Sequence, residues 1–146
     1  MNPLPLEELV KQWEIDARVN DTEPARELLK IPNLHAKYAR QLVAHSLAIK
    51  AKNISYNALK KVKWEYYNGK LDQAELDRRG WEPFRFVLKG DIGVYLDADT
   101  DLTNIKSRIA LHEEGVNFCG MVMKEINNRT WQLKTFVDYE KFIQGQ

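Results

Sequence analysis

Apolar residues recur along this chain at spacings of three and four, the rhythm of amphipathic helices. Behind Pro3 and Pro5, the residues Leu6, Leu9, Val10 and Trp13 share one face and predict a first helix over roughly residues 6–17. Val19 to Thr22 reads as a turn, after which Thr22 caps a brief helix with Pro24 in its first turn, ending near Lys30. Ile31-Pro32-Asn33 ends that helix and starts the next. From Leu34 to Tyr67 there is no Pro or Gly, and Ala, Lys, Leu and Gln dominate. Asn68-Gly69 supplies a stop, because glycine accepts the left-handed conformation that follows a helix. The expected helix has about 34 residues and a length on the order of 50 Å.

Asp72 to Arg79 predicts a short helix, with Asp72 and Glu75 at capping-box spacing. Gly80-Trp81-Glu82-Pro83 is a turn. Phe84-Arg85-Phe86-Val87-Leu88 has no partner for a sheet and is expected as a connector packing its aromatic rings on the helices. Asp91 to Leu96 is too short to assign. Asp99 or Thr100 then caps a second long helix. On it Leu102, Ile105, Ile109, His112, Val116, Cys119, Met123 and Ile126 keep strict 3-4 spacing, as a packed seam does. Leu133 and Val137 hold the phase beyond Asn127-Asn128, so the helix continues or bends there. Trp131, Phe136, Tyr139 and Phe142 mark a last amphipathic stretch.

The expected fold is all-α: a long helical hairpin with short N-terminal helices and a C-terminal helical oligomerisation segment. A length of 146 residues suits a single domain. Its parts are the short N-terminal helices (1–32), a basic helix (33–70), a connector (71–98) and the C-terminal helices (99–146). Two seams in so thin a chain bury more in an oligomer than alone.

Composition narrows the class. With 44% apolar and 29% charged residues the chain is neither disordered nor collagenous, and no stretch has the apolar length of a membrane span. No basic, then apolar, secretory leader is visible. A single cysteine, Cys119, excludes an intrachain disulfide and a multi-thiolate metal site, and it suits a reducing interior.

Charge changes the picture more. The net charge of +1 hides a layout in three blocks. Residues 1–32 carry four basic and seven acidic side chains, residues 33–70 eight and one, and residues 71–146 ten and thirteen. The basic middle attracts polyanions or an acidic partner surface.

Within it, Lys52, Tyr56, Lys60, Lys63 and Tyr67 fall on one helical face, with Lys61 beside them and Lys70 just beyond. Ala48, Ala51, Leu59, Val62 and Tyr66 are expected to face the core. Lysines that track phosphates, interleaved with aromatic rings that stack on bases, suit single-stranded nucleic acid. The competing reading is a solvated helix face whose aromatics belong to the core, or a basic arm of an adaptor that docks an acidic protein. Only Glu65 offers these lysines an intrahelical ion pair.

Other motifs fall short. Asp97-Ala98-Asp99-Thr100-Asp101 opens like a calcium loop, but Leu102 stands where Gly belongs and Arg108 where Glu belongs. Helix capping explains those acids better. His112-Glu113-Glu114-Gly115 lacks the second His of a zinc protease. His112 and Cys119 share a face and are read as seam residues sooner than as metal ligands, while His35 and His45 lie on the basic helix away from carboxylates. No phosphate-cradling glycine loop, catalytic triad or metal-ligand set is present, which argues against an enzyme and against a cofactor.

The stretch Lys61-Val62-Lys63-Trp64-Glu65-Tyr66-Tyr67-Asn68-Gly69-Lys70 resembles the basic, Tyr-Tyr-x-Gly-basic segment of the UvsY family, the recombination mediators of T-even-type bacteriophages. Leu34-His35-Ala36-Lys37-Tyr38, Val87-Leu88-Lys89-Gly90-Asp91 and Ile126-Asn127-Asn128-Arg129-Thr130 resemble landmarks of its cyanophage-type members. The resemblance runs from about Leu6 to the C-terminus. It implies a non-enzymatic helper of homologous recombination in the cytoplasm of an infected host. Such a mediator binds single-stranded DNA, weakens its coat of single-stranded-DNA-binding protein and loads a RecA-like recombinase of the UvsX type. The resemblance also implies a homo-oligomeric ring, hexamer or heptamer, held through the C-terminal helices. The family's DNA-binding basic pair maps onto Lys61 and Lys63. Together with the spacing, this nominates Lys52, Lys60, Lys61, Lys63, Tyr67 and Lys70 for DNA, and Ile105, Ile109, Val116, Met123 and Ile126 for assembly.

Overall fold

The computed structural model describes residues 1–84 and 88–145. Every element among them is helical: α1 (Leu6–Asp16), α2 (Pro24–Tyr67), α3 (Gln73–Arg79), a 3-10 turn at Lys89–Asp91, α4 (Ile92–Ala98) and α5 (Thr100–Ile143). The fold is all-α. No helix among the described residues is long and apolar enough to cross a membrane.

One expectation about a helix end is corrected and one left open is decided. The break at Ile31-Pro32-Asn33 does not occur, and Pro32 lies inside α2, a helix of 44 residues. A proline there leaves the carbonyl four residues earlier without its donor. Pro32 and Leu28 are both solvent-exposed, so water can satisfy that carbonyl. Asn127-Asn128 does not interrupt α5 either, which is also 44 residues long. The central expected connector, Arg85 to Val87, lies outside the described residues, whereas Ile92–Ala98, unassigned from sequence, is helical. At α3 the expectation holds: Asp72 Oδ1 accepts from the Glu75 amide at 2.8 Å, and Gly80 closes the helix at φ +69°.

The chain forms two compact units, Met1–Ala48 with Leu111–Gln146, and Ile49–Ala110. Each has its own core. In the first, Leu9, Tyr38, Cys119, Val122 and Ile126 are buried together, with Trp13, Leu34, Leu42 and Met123 packed against them. Trp13 meets the Tyr38 ring edge-on, centroids 5.7 Å apart. The α2 and α5 segments of this unit run antiparallel, since His45 contacts His112 near one end and Arg129 faces Glu27 near the other. In the second unit Ile92, Leu96 and Leu102 form the buried centre, covered by Tyr56, Leu59 and Tyr67.

Polar side chains tie the N-terminus into the first unit. Tyr38 and Lys37 both donate to the Asp16 carboxylate, at 2.9 and 2.6 Å. Arg129, 4% exposed, donates to the carbonyls of Asp16 and Ala17, which α1 leaves without intrahelical donors at its C-terminus. Gln41 Oε1 accepts from the Leu4 amide, and His45 Nε2 hydrogen-bonds the Leu4 carbonyl at 3.0 Å. That bond places the His45 proton on Nε2, so Nδ1 accepts from His112 Nδ1, 2.9 Å away. Burial lowers the His45 pKa below its usual value, against the opposing pull of the Leu4 carbonyl.

The His45 ring fits because residue 115 has no side chain. A Cβ on Gly115 would lie 2.7 Å from His45 Nδ1 and Cε1. The ring is hydrogen-bonded on both sides and cannot withdraw. Gly115→Ala should therefore destabilise the protein by about 1–3 kcal/mol, although alanine is favoured over glycine within a helix by about 1 kcal/mol. In a His45→Ala background the same change should be neutral or stabilising. Urea unfolding of the four proteins checks this, and equal losses in both backgrounds would refute the steric account.

Candidate nucleic-acid interface

The last turns of α2 carry the densest basic sequence in the chain, and the turn that follows shapes what they present. Gly69, at φ +69°, lets the Lys70 amide reach the Glu65 carbonyl at 2.9 Å and its own amide reach Tyr66 at 3.0 Å. These two bonds satisfy carbonyls the helix end leaves open and fold the chain back. Lys70 Nζ thereby lies 4.6 Å from the centre of the Trp64 ring.

Lys63 points the other way. Its residue is 5% exposed, and its ammonium lies 3.0 Å from Asp99 Oδ2 and 2.8 Å from Asp101 Oδ2. The Trp81 ring covers it, with Nζ 4.1 Å from the centroid. Tyr67 donates its hydroxyl to the same Asp99 oxygen at 2.5 Å. The other Asp99 oxygen accepts from the Leu102 amide at 3.0 Å, which makes Asp99 the cap of α5. Burial works against the Asp99 charge. The Tyr67 hydroxyl, the Leu102 amide and the Lys63 ammonium outweigh it and hold the carboxyl below its usual pKa. Burial, helped by the bond to Asp99, raises the pKa of Tyr67.

Around this knot Tyr66, Tyr67, Trp81, Phe84 and Tyr95 pack ring against ring, with centroids 5.0–5.7 Å apart. Tyr66 also donates to the Glu82 carbonyl at 2.7 Å. The calcium-like acids are thus used internally: Asp99 caps and Asp101 pairs with Lys63.

The solvent-facing stripe expected from spacing is corrected at three positions. Tyr56 covers the core of its unit, and Lys63 and Tyr67 are turned into the knot. Lys60, Lys61 and Lys70 are exposed, and Lys52 is half-buried. Among the described residues none of these four makes an ion pair. The physical reason lies on the opposing elements. Three buried apolar residues of α4 and α5 and the two acids at the start of α5 select the 56–59–63–67 face as the inner one. The helix's own sequence carries no mark of those acids.

The residues nominated for assembly divide between the interior and the surface. Ile109 and Ile126 are buried in the chain's own cores, Met123 packs against the first core, and Ile105 and Val116 are half-buried. The 3-4 rhythm of α5 records packing within the chain. What α5 leaves to solvent is a different set, Leu111 and Met121 and, clustered toward its end, Trp131, Tyr139, Phe142 and Ile143, all between 59 and 79% exposed. They lie off the seam; the sequence marks Trp131, Tyr139 and Phe142 as a last amphipathic stretch, and only their exposure sets them apart. Trp64 is 44% exposed, and the spacing of the basic stripe assigns it no role. His112 and Cys119 do not form a pair of ligands; Cys119 is buried in the first core, where burial pushes its thiol up to about 11. Among the described residues no three His, Cys, Asp or Glu side chains gather as a metal ion would require.

Residues 12–146 match the family model described as recombination, repair and single-stranded-DNA-binding protein UvsY. The fold is similar to that of crystal structures of the bacteriophage T4 recombination mediator protein UvsY in several lattices. One has 18% sequence identity and a TM-score of 0.81, over 97% of this chain and 98% of that one. A second has 18% identity and a TM-score of 0.80, over 92% and 98%. A third has 17% identity and a TM-score of 0.77, over 95% and 98%. Among curated proteins no sequence matches.

Because the Asp99 pKa is lower folded than unfolded, its contribution to stability is complete above the ordinary value of 3.8 and is lost as pH falls through that value toward the folded one. Asp99→Asn keeps a capping acceptor and removes the charge. It should cost about 1.5–3 kcal/mol at pH 7 and flatten the acid limb of the stability profile. Urea unfolding from pH 7 to pH 2.5 measures both (the pH range is about that of carboxylate titration). Parallel profiles would show that the knot does not depend on the Asp99 charge.

Proposed function

Since the chain belongs to the UvsY family, whose members are recombination, repair and single-stranded-DNA-binding proteins, we propose that it acts as a recombination mediator. It binds single-stranded DNA, helps displace the single-stranded-DNA-binding protein that coats it, and loads a RecA-like recombinase of the UvsX type. It works in the cytoplasm of a phage-infected host and performs no catalysis itself. The observation that carries this reading is the exposed basic face at the end of α2. There Lys60, Lys61 and Lys70 stand without carboxylate partners among the described residues, and Lys52 continues the row two turns earlier.

Lysine is a strongly hydrated point charge on a flexible stem, suited to following a backbone without fixing it. Contacts of this kind are individually weak and readily released, as a protein that hands its strand over requires. Repetition in an oligomer multiplies them through effective concentration. Lys63 takes part by position: it holds the corner from which the neighbouring lysines project. Assembly uses the exposed aromatic end of α5, with Trp131, Tyr139, Phe142 and Ile143 meeting a different surface on the next copy. Such head-to-tail contacts close into rings, here of the hexamer or heptamer kind.

Binding to a fluorescent poly-dT strand across a salt series tests the DNA surface. The slope of log K against log salt should be about −0.7 per phosphate neutralised, so Lys60→Ala/Lys61→Ala should make it shallower by about 1.4. Weak, salt-independent binding unchanged by the substitutions would mean that the basic face docks an acidic protein instead. Assembly is tested separately by light scattering. Phe142→Glu with Trp131→Glu should reduce the mass to that of one chain, whereas an unchanged mass would move the interface elsewhere.

A further inference from the structure

We infer that Trp64 is a base-stacking residue, and that its indole, with Lys60, Lys61 and Lys70 around it, makes one nucleotide-binding step of the surface. This rests on the single-stranded-DNA reading above and adds to it the group that touches the base.

The first observation is where the ring lies. Along a helix each residue advances by 100°, so one step from Lys63 to Trp64 carries a side chain from the buried face to the open one. Lys63 is 5% exposed and Trp64 44%. Among the described residues, Tyr66, Trp81, Phe84 and Tyr95 at this end of the unit pack ring against ring. Trp64 stands outside that cluster. Nearly half of its surface is open to solvent.

The second observation is what surrounds it. Lys60 and Lys61 lie one turn earlier on the same face, and both are exposed. Lys70 arrives from the other side, brought back by the Gly69 turn to 4.6 Å above the ring. An ammonium held over an exposed ring by a flexible stem exchanges readily for a base, and the released lysine then has a phosphate within reach. Glu65, next to Trp64 in the chain, is one carboxylate against three lysines, and other acids of this unit are engaged elsewhere. Asp99 and Asp101 are occupied by Lys63, and Glu75 by Arg78 and Arg79.

The third is chemical. Ammonium groups alone attract any polyanion, duplex included. A flat ring among them selects strands whose bases are free to stack, and it does so for every base alike. That is the tolerance expected of a protein acting wherever a strand is exposed. Tyr67, which spacing nominated for this role, has its hydroxyl bound to Asp99 and its ring in the cluster.

The test compares wild type, Trp64→Ala, Trp64→Phe and Lys60→Ala/Lys61→Ala on a dT strand and on an abasic strand of equal length. Trp64→Ala should weaken binding to dT about tenfold without changing the salt slope. Trp64→Phe should recover most of the loss, and on the abasic strand Trp64→Ala should match wild type. Equal losses on both strands, or none on dT while the lysine variant binds more weakly, would overturn the role of Trp64 and leave the DNA surface standing. If the lysine variant also binds like wild type, the surface and the stacking residue fall together. Thermal unfolding of each variant confirms that the fold is retained.

Discussion

A buried ammonium organises the end of the molecule where the basic sequence is densest. Lys63 is held between Asp99 and Asp101 beneath the Trp81 ring, and it could not remain there without them, because an unpaired buried charge is strongly unfavourable. Several other features follow from that one placement. The carboxylate that holds Lys63 also caps α5, so the start of a 44-residue helix is tied to a point on α2. Tyr67 is drawn to the same oxygen, and the aromatic cluster closes over the group. With the inner face of α2 decided in this way, the outer face carries Lys60, Lys61 and Trp64.

The first unit uses the same device with different groups. Arg129 reaches the open carbonyls at the end of α1, and His45 links the Leu4 carbonyl to His112. These polar contacts are buried and directional, and they set which residues meet; the apolar contacts of Leu9, Tyr38 and Ile126 supply most of the burial. Space is part of the arrangement, since only a glycine at 115 leaves room for the imidazole.

Charge and exposed apolar area are carried by different residues. Lys52, Lys60, Lys61 and Lys70 belong to the unit formed by Ile49–Ala110, and the exposed aromatic end of α5 belongs to the other. Under the proposed function, strand binding and self-association would draw on separate side chains, so that either could be altered by substitution while the other stands. Many of the acids in the flanking sequence serve internally, as caps and ion-pair partners, so a net charge near zero coexists with a strongly basic face.

The helices themselves were legible in the chain. Spacing of three and four, the Asp72 and Asp99 caps and the Gly69 and Gly80 stops are local signals, and local hydrogen bonding and side-chain periodicity suffice to read them. The family resemblance was legible for a similar reason, carried by a contiguous run ending in Tyr66-Tyr67-Asn68-Gly69-Lys70. Pro32 misled because its cost depends on whether water reaches one carbonyl, which only packing decides. The face on which each lysine lies was equally out of reach. Lys61 and Lys63 are chemically identical and two residues apart, yet one is exposed and the other is buried against acids distant in the chain. Ile109 and Ile126 on the α5 seam are buried within the chain, while Ile105 and Val116 stay half-buried, because a 3-4 repeat states that a face is covered and says nothing of what covers it. Sequence determined the helices and the excess of positive charge at the end of α2. Tertiary structure alone decided which charges were spent inside and which ring was left free, since long-range contacts choose among side chains that local pattern cannot tell apart.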